Sequence, residues 1–230
     1  MPHAAASLRM SERWALRRLE RGDPHWPAQL AIALVILLQL TLADQVSAGP
    51  TWLGPVAEGV LLTALIVISP ARATKEAPGR RALSMGLIAL VGAINVVSLG
   101  LLVHYLIQGG PAHGDALIFS GTKLLLTNVL LFGVWFWELD RGGPVARYGN
   151  ADAHPDFLFP QMDDPQFAPK GWRPGFFDYL YTSLTNANAF SPTDTMPLTH
   201  TAKAIMAIES VSSLVTIGLV LARAVNILAS

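Results

Sequence analysis

The sequence has no cysteine, which excludes disulfides, thiolate chemistry and cysteine metal sites. Charge is also scarce. Asp, Glu, Lys and Arg make up 14% of 230 residues, whereas hydrophobic residues make up 52%. With a mean hydropathy of +0.42, that balance describes a polytopic membrane protein. No nucleotide-binding glycine loop, metal-spaced His/Glu set or nucleophile motif occurs, so neither an enzyme nor a cofactor or metal site is expected. No apolar run carries Arg at every third position, which argues against a voltage sensor. No internal repeat occurs, which argues against a repeat-built transporter.

What the chain does contain is apolar runs. Five are long enough, or nearly so, to cross a bilayer: 28–43, 52–69, 82–107, 116–137 and 201–228. Each is expected to form a transmembrane helix. Val46-Ser47-Ala48 looks like a signal-peptidase site, but the 27-residue leader before the first run is long for a signal peptide, so a retained helix is expected. Residues 1–27 carry Arg9, Arg13, Arg17, Arg18 and Arg21, punctuated by Leu8, Trp14, Leu16 and Leu19. This basic run abuts a span, so it reads as a helix on the membrane surface rather than a nucleic-acid arm. Residues 28–110 then hold three accessory spans.

Residues 111–230 differ in pattern. The outer run 116–137 ends in Trp135-Phe-Trp, an aromatic set suited to the membrane–water interface. Residues 140–173 leave the membrane with five prolines and five aspartates, long enough to suggest an ordered cap. His154 and these aspartates match no metal spacing, so a solvated acidic loop is expected. A short amphipathic stretch, 176–189, is followed by a turn at 190–199 with Pro192, Asp194 and Pro197. The turn cannot be helical. A broken segment at membrane depth needs protein or a water-filled cavity around it. The pattern is that of a re-entrant pore helix and loop before an inner helix at 201–228.

Here the sequence resembles the pore module of tetrameric potassium channels, above all the bacterial ones with no attached soluble domain. Tyr181 and Ser183 match the family's pore helix, and Asp194 falls on the Asp that ends its filter. Pro197 and Thr199 match the residues that follow. Lys203 takes a basic position and Glu209 an early inner-helix glutamate, and Ala222-Arg223 also looks like the family. The resemblance covers about a quarter of the chain. It implies a homotetramer in a bacterial inner or plasma membrane, with the bilayer, copies of itself and inorganic ions as partners. It also implies that Glu209 braces the pore loop from behind. The filter positions Ala189, Phe190, Ser191, Pro192, Thr193 and Asp194 lack the glycines that let the family's carbonyls face one axis. The expected pore therefore passes cations with non-standard selectivity. Asp194 would set charge at its mouth, Asn186 and Asn188 would line it, and Phe190 would form a constriction. A non-conducting scaffold that keeps the fold is the alternative.

Lys and Arg are placed unevenly: five before the first run, four between the second and third, none in 44–51 or 108–115. This predicts a cytoplasmic N-terminus, with the pore loop on the same side after four spans. Charges at membrane depth mark the remaining candidates. Glu58 and Lys123 lie at similar depth and are expected to form an intramembrane ion pair. Gln39 and His104 belong to the same leaflet, and Asn95 and Asn128 are expected to hydrogen-bond between helices. Glu209, Ser212, Ser213 and Thr216 share a helix face, which suits either a water-lining stripe or packing between helices.

Overall fold

The computed structural model describes residues 23–42, 50–68, 79–108, 114–149, 153–164, 166, 168–169, 171–188 and 194–228. Among these the chain is helical apart from one two-stranded sheet. The main helices are α1 (Trp26–Leu40), α2 (Leu53–Ile68), α3 (Arg80–Gln108) and α4 (Gly114–Leu139). Short elements follow: a 3₁₀ turn (Asp140–Gly142), α5 (Pro144–Gly149), β1 (Phe157–Leu158) and α6 (Pro160–Asp163). The last are α7 (Phe176–Ala187), β2 (Met196–Pro197) and α8 (His200–Leu228). Each expected apolar run is a helix to within about three residues, and the short amphipathic helix ends at Ala187 rather than 189. Nearly all of the expected N-terminal surface helix lies outside the described residues.

Among the described residues three helices are long and apolar enough to cross a bilayer: Arg80–Leu106, Ile118–Gly142 and His200–Val225. α1 and α2 are apolar but shorter, at 15 and 16 residues. Large apolar side chains point outward along these helices, among them Leu30, Leu37, Val60, Val211, Leu214 and Leu221. Such a belt suits hydrocarbon rather than water.

α4 is the central helix, packing against α1, α3, α7 and α8. Two glycines allow the close approaches. A Cβ at Gly133 would lie 3.1 Å from the Leu180 Cα of α7, and one at Gly121 would overlap the Val220 side chain of α8. α4 ends where Arg141, Gly142 and Gly143 take φ values of 54°, 83° and 103°. Two of these three left-handed positions are glycine, which meets no Cβ penalty there. Asp178 starts α7 by accepting from the Gly175 N–H at 2.7 Å, the reach-back that satisfies an orphan donor. Thr199 starts α8, its hydroxyl accepting from the Ala202 N–H at 3.2 Å.

The described residues of the segment 140–173 pack around a buried charge cluster. Arg147, fully buried, forms ion pairs with Asp23 at 3.3 Å and Asp140 at 3.4 Å. It also donates to the Tyr179 hydroxyl at 2.8 Å, which donates in turn to Asp140 at 2.5 Å. Trp137 donates to Asp23 at 2.6 Å. Asp156 accepts from Thr199 at 2.7 Å and from the Arg141 N–H at 2.9 Å. β1 pairs antiparallel with β2, Phe157 opposite Pro197 and Leu158 opposite Met196. The cap therefore ties together the segment before α1, the end of α4, α7 and the start of α8. Aromatic rings fill its apolar side: Phe157 packs edge-on to Tyr179 and beside Phe136, and Phe159 packs edge-on to Tyr179.

His25, just before α1, is buried against Trp137 with ring centroids 5.5 Å apart, and neither ring nitrogen has a partner among the described residues. Burial, helped by the Arg80 guanidinium, pulls its pKa down from 6.5 to about 4. The unfolded chain therefore takes up this proton first. Stability contributed by neutral His25 is present above pH 6.5 and is lost as pH falls from there towards 4. His25→Phe keeps the ring packing without the titration. Thermal unfolding followed from pH 7 to pH 4 should therefore show a shallower acid slope in the variant; an unchanged slope refutes this role.

Candidate functional site

α7 spans 12 residues, about 18 Å at the helical rise, so it cannot cross a bilayer. Its sequence divides into two faces. Phe176, Tyr179, Thr182, Ser183, Asn186 and Ala187 are buried, at the spacing of one helical stripe. Phe177, Tyr181 and Leu184 are exposed on the other side. The buried face lies in the groove between α4 and α8, and two of its polar members, Ser183 and Asn186, meet one group, the carboxylate of Glu209.

Glu209 is fully buried. Ser183 Oγ donates to Glu209 Oε1, and Asn186 Nδ2 donates to Glu209 Oε2 at 2.6 Å. The Asn186 amide also reaches the Met206 carbonyl at 2.9 Å, and its oxygen accepts from Ser210 at 3.1 Å. Ser183 Oγ lies 2.7 Å from the Val129 carbonyl of α4. No Lys, Arg or His among the described residues forms an ion pair with Glu209. One carboxylate, held by neutral donors alone, thus fastens the short helix to α8, and Ser183 Oγ brings it against α4.

The network continues away from α7. Asn128 on α4 donates to Ser213 at 2.8 Å and Ser212 at 2.9 Å, and accepts from Asn95 on α3 at 3.3 Å. Thr216 donates to the Ser212 carbonyl at 2.8 Å. The stripe Glu209, Ser212, Ser213 and Thr216 is therefore turned inward within one chain, with Glu209, Ser212 and Ser213 bonded to neighbouring helices. Asn186 is likewise a fastener between α7 and α8, not a residue facing open space.

Asn188 and Asp194 are exposed on either side of the turn. Asn188 donates back to the Leu184 carbonyl at 2.8 Å. Thr182 donates to Thr195 at 3.2 Å, returning the chain onto α7 after the turn. Ala189, Phe190, Ser191, Pro192 and Thr193 lie outside the described residues. No family model, curated protein or solved structure matches this chain. Its chemistry has to be read from its own side chains.

The Glu58–Lys123 pair is not formed. Lys123 donates instead to the Thr41 carbonyl at the end of α1, where helix carbonyls lack partners and a cation is favoured. Neither Glu58 oxygen has a hydrogen-bond partner among the described residues, and the carboxylate is fully buried. Similar depth did not mean a shared partner: Glu58 lies beside Gln39 of α1, whereas Lys123 reaches the end of α1. No group of three His, Cys, Asp or Glu that would hold a metal ion occurs among the described residues. Sequence reasoning missed the Arg147 cluster altogether. Its signal was an arginine in an acidic, proline-rich loop, which on its own reads as solvated.

Proposed function

We propose that five spans surround a re-entrant α7, and that four copies form a potassium-channel-like pore for passive cation movement. The observation that supports this most directly is α7 itself. It is a half-length helix fastened by Ser183 and Asn186 to Glu209 and by Ser183 to Val129, while Phe177, Tyr181 and Leu184 remain uncovered in the single chain. In a ring of copies these apolar side chains meet a neighbour. α1 and α2, about 22–24 Å long, fit as spans through modest local thinning of a hydrocarbon core of about 30 Å.

The C-terminal end of α7 faces the turn. A helix C-terminus carries partial negative charge, and Asp194 and Asn188 stand at the same end, so the mouth favours cations over anions. Potassium selectivity is not part of the proposal, because residues 189–194 contain no glycine. The second reading, a scaffold that keeps the fold without conduction, is favoured by Phe190 and Pro192 at the filter positions.

The test joins mass and flux. Native mass measurement in nanodiscs should give a tetramer, and proteoliposomes should pass K⁺ or Na⁺ but not Cl⁻. Asp194→Asn should lower cation flux about fivefold, the effect of about 1 kcal/mol of lost attraction at a solvated mouth. A tetramer with no flux selects the scaffold. A monomer or dimer removes the fourfold pore.

A further inference from the structure

Glu58 is a carboxyl group inside an apolar bundle. It is the only ionisable residue of α2, and none of its surface is exposed. The Gln39 side chain of α1 lies beside it, within hydrogen-bonding reach. No other donor stands at either carboxyl oxygen among the described residues. An ionised carboxylate in such a setting is expensive unless a counter-charge sits against it.

The elements packed against α2 supply no such charge. α1 carries no ionisable side chain from Trp26 to Leu40. On the other side, a Cβ at Gly54, one turn before Glu58, would lie 2.9 Å from Ile94 Cδ1 of α3 and 3.9 Å from Gln39 Oε1. Arg80 and Arg81 lie about 20 Å from Ile94 in one direction along α3, and His104 and Tyr105 about 15 Å in the other. Arg80 is paired with Glu138, and His104 is exposed. Lys123 of α4 is taken by the Thr41 carbonyl. A metal cation finds no seat either. The neighbouring cavity is lined by Gln39, Thr51 and Ser98 among apolar side chains, with no charged group and without Glu58. The one counter-charge that needs neither space nor further ligands is a proton.

We propose that Glu58 is a proton-binding site: in the folded chain it is a neutral carboxylic acid whose O–H donates to Gln39 Oε1, fastening α2 to α1. A buried charge without compensation is relieved by neutralisation. Gln39 is 5% exposed, so the bond is made away from water. Gln39 also lines the cavity and therefore stands between the acid and the nearest open space. Loss of the proton strands a charge where α1 meets α2, so this packing weakens as pH rises. The site belongs to a single chain and does not depend on the pore reading.

The experiment uses the full chain in nanodiscs. Infrared difference spectra, wild type minus Glu58→Gln, isolate this group from every other carboxyl. At about pH 6, where an ordinary glutamate is ionised, they should show the carbonyl stretch of a protonated carboxylic acid, moving to lower wavenumber in heavy water, and no carboxylate bands. Gln39→Leu should move that stretch to higher wavenumber without removing it, because the acid then lacks its acceptor. Thermal unfolding reads the linkage. The folded chain holds a proton that the unfolded chain releases in the ordinary glutamate range, so stability from this group falls as pH rises. Glu58→Gln keeps the side-chain shape without the titration. Its Tm minus that of wild type should therefore grow by several degrees between about pH 5 and about pH 8. The proposal is overturned by carboxylate bands in place of the acid stretch at about pH 6, by an acid stretch that Gln39→Leu leaves unmoved, or by a Tm difference that does not change with pH.

Discussion

Arg147→Met should cost about 3–5 kcal/mol of stability, the range for removing one partner of a buried ion pair. The guanidinium is fully buried between two carboxylates, Asp23 at 3.3 Å and Asp140 at 3.4 Å. It also donates to the Trp137 carbonyl at 3.3 Å and the Asp140 carbonyl at 3.4 Å. Met fills similar volume but leaves Asp23 with only neutral donors and Asp140 with only the more distant Arg141 guanidinium, at 3.9 Å, for a counter-charge. Trp137 and Tyr179 still reach Asp23 and Asp140, yet they carry no charge to balance theirs. Lys at 147 restores the charge without the planar fork that serves two carboxylates and a hydroxyl at once, so Arg147→Lys should fall between wild type and Met. Two comparisons separate charge from packing. Arg147→Met with Asp140→Asn should recover part of the loss, because one stranded carboxylate has been neutralised. If the double variant is as unstable as the sum of its parts, the cluster acts by packing alone and the charge argument fails. The readout is thermal unfolding in one detergent or nanodisc composition. Retained flux or mass in the folded fraction shows that the effect lies in stability.

That cluster also marks the limit of reading the sequence. The long helices were legible because each is a run of apolar residues with a clear end: Pro27 near the start of α1, Arg141-Gly142-Gly143 after α4, Thr199 before α8. α7 was legible as a short amphipathic segment, but not which of its faces turns inward: Asn186 and Asn188, read together as lining, part company, Asn186 buried against α8 and Asn188 exposed. Asn95 and Asn128 were expected to bond between helices, and they do at 3.3 Å. What periodicity does not give is the direction in which one helix turns towards another. Counting residues placed Glu58 and Lys123 at one depth, but their azimuths differ, and Lys123 found the unpaired end of α1 instead. The stripe from Glu209 to Thr216 was recognised as a face without knowing what it faced. Arg147 and Asp23 are 124 positions apart, and nothing local to either reports the other. Long-range pairing of charges is decided by packing.

Glu209→Leu is the second large change, and its contrast with Glu209→Gln tests how α7 is held. Leu removes the only group that Ser183 and Asn186 share. Each buried donor left without its acceptor costs about 1–3 kcal/mol. Ser183 keeps the Val129 carbonyl and Asn186 keeps the Met206 carbonyl, which limits the total to about 2–4 kcal/mol by the same scale. Gln behaves differently. Its oxygen can accept from Asn186, and its amide can donate to Ser183 Oγ, leaving the single Ser183 hydroxyl proton for the Val129 carbonyl. Only the second amide N–H of Gln is then left without a named acceptor, in nearly the same volume, so Glu209→Gln should cost less than Glu209→Leu, at about 1 kcal/mol. Hydrogen exchange adds a local readout. The α7 amides should exchange faster in Glu209→Leu than in wild type, while α1–α3 amides remain unchanged, because the groove that releases α7 is formed by α4 and α8. Equal losses in the Leu and Gln variants would mean that a negative charge at 209, and not the matching of hydrogen bonds, holds the short helix in place. A loss in Leu alone would place the fastening in the geometry of three side chains: Ser183, Asn186 and Glu209.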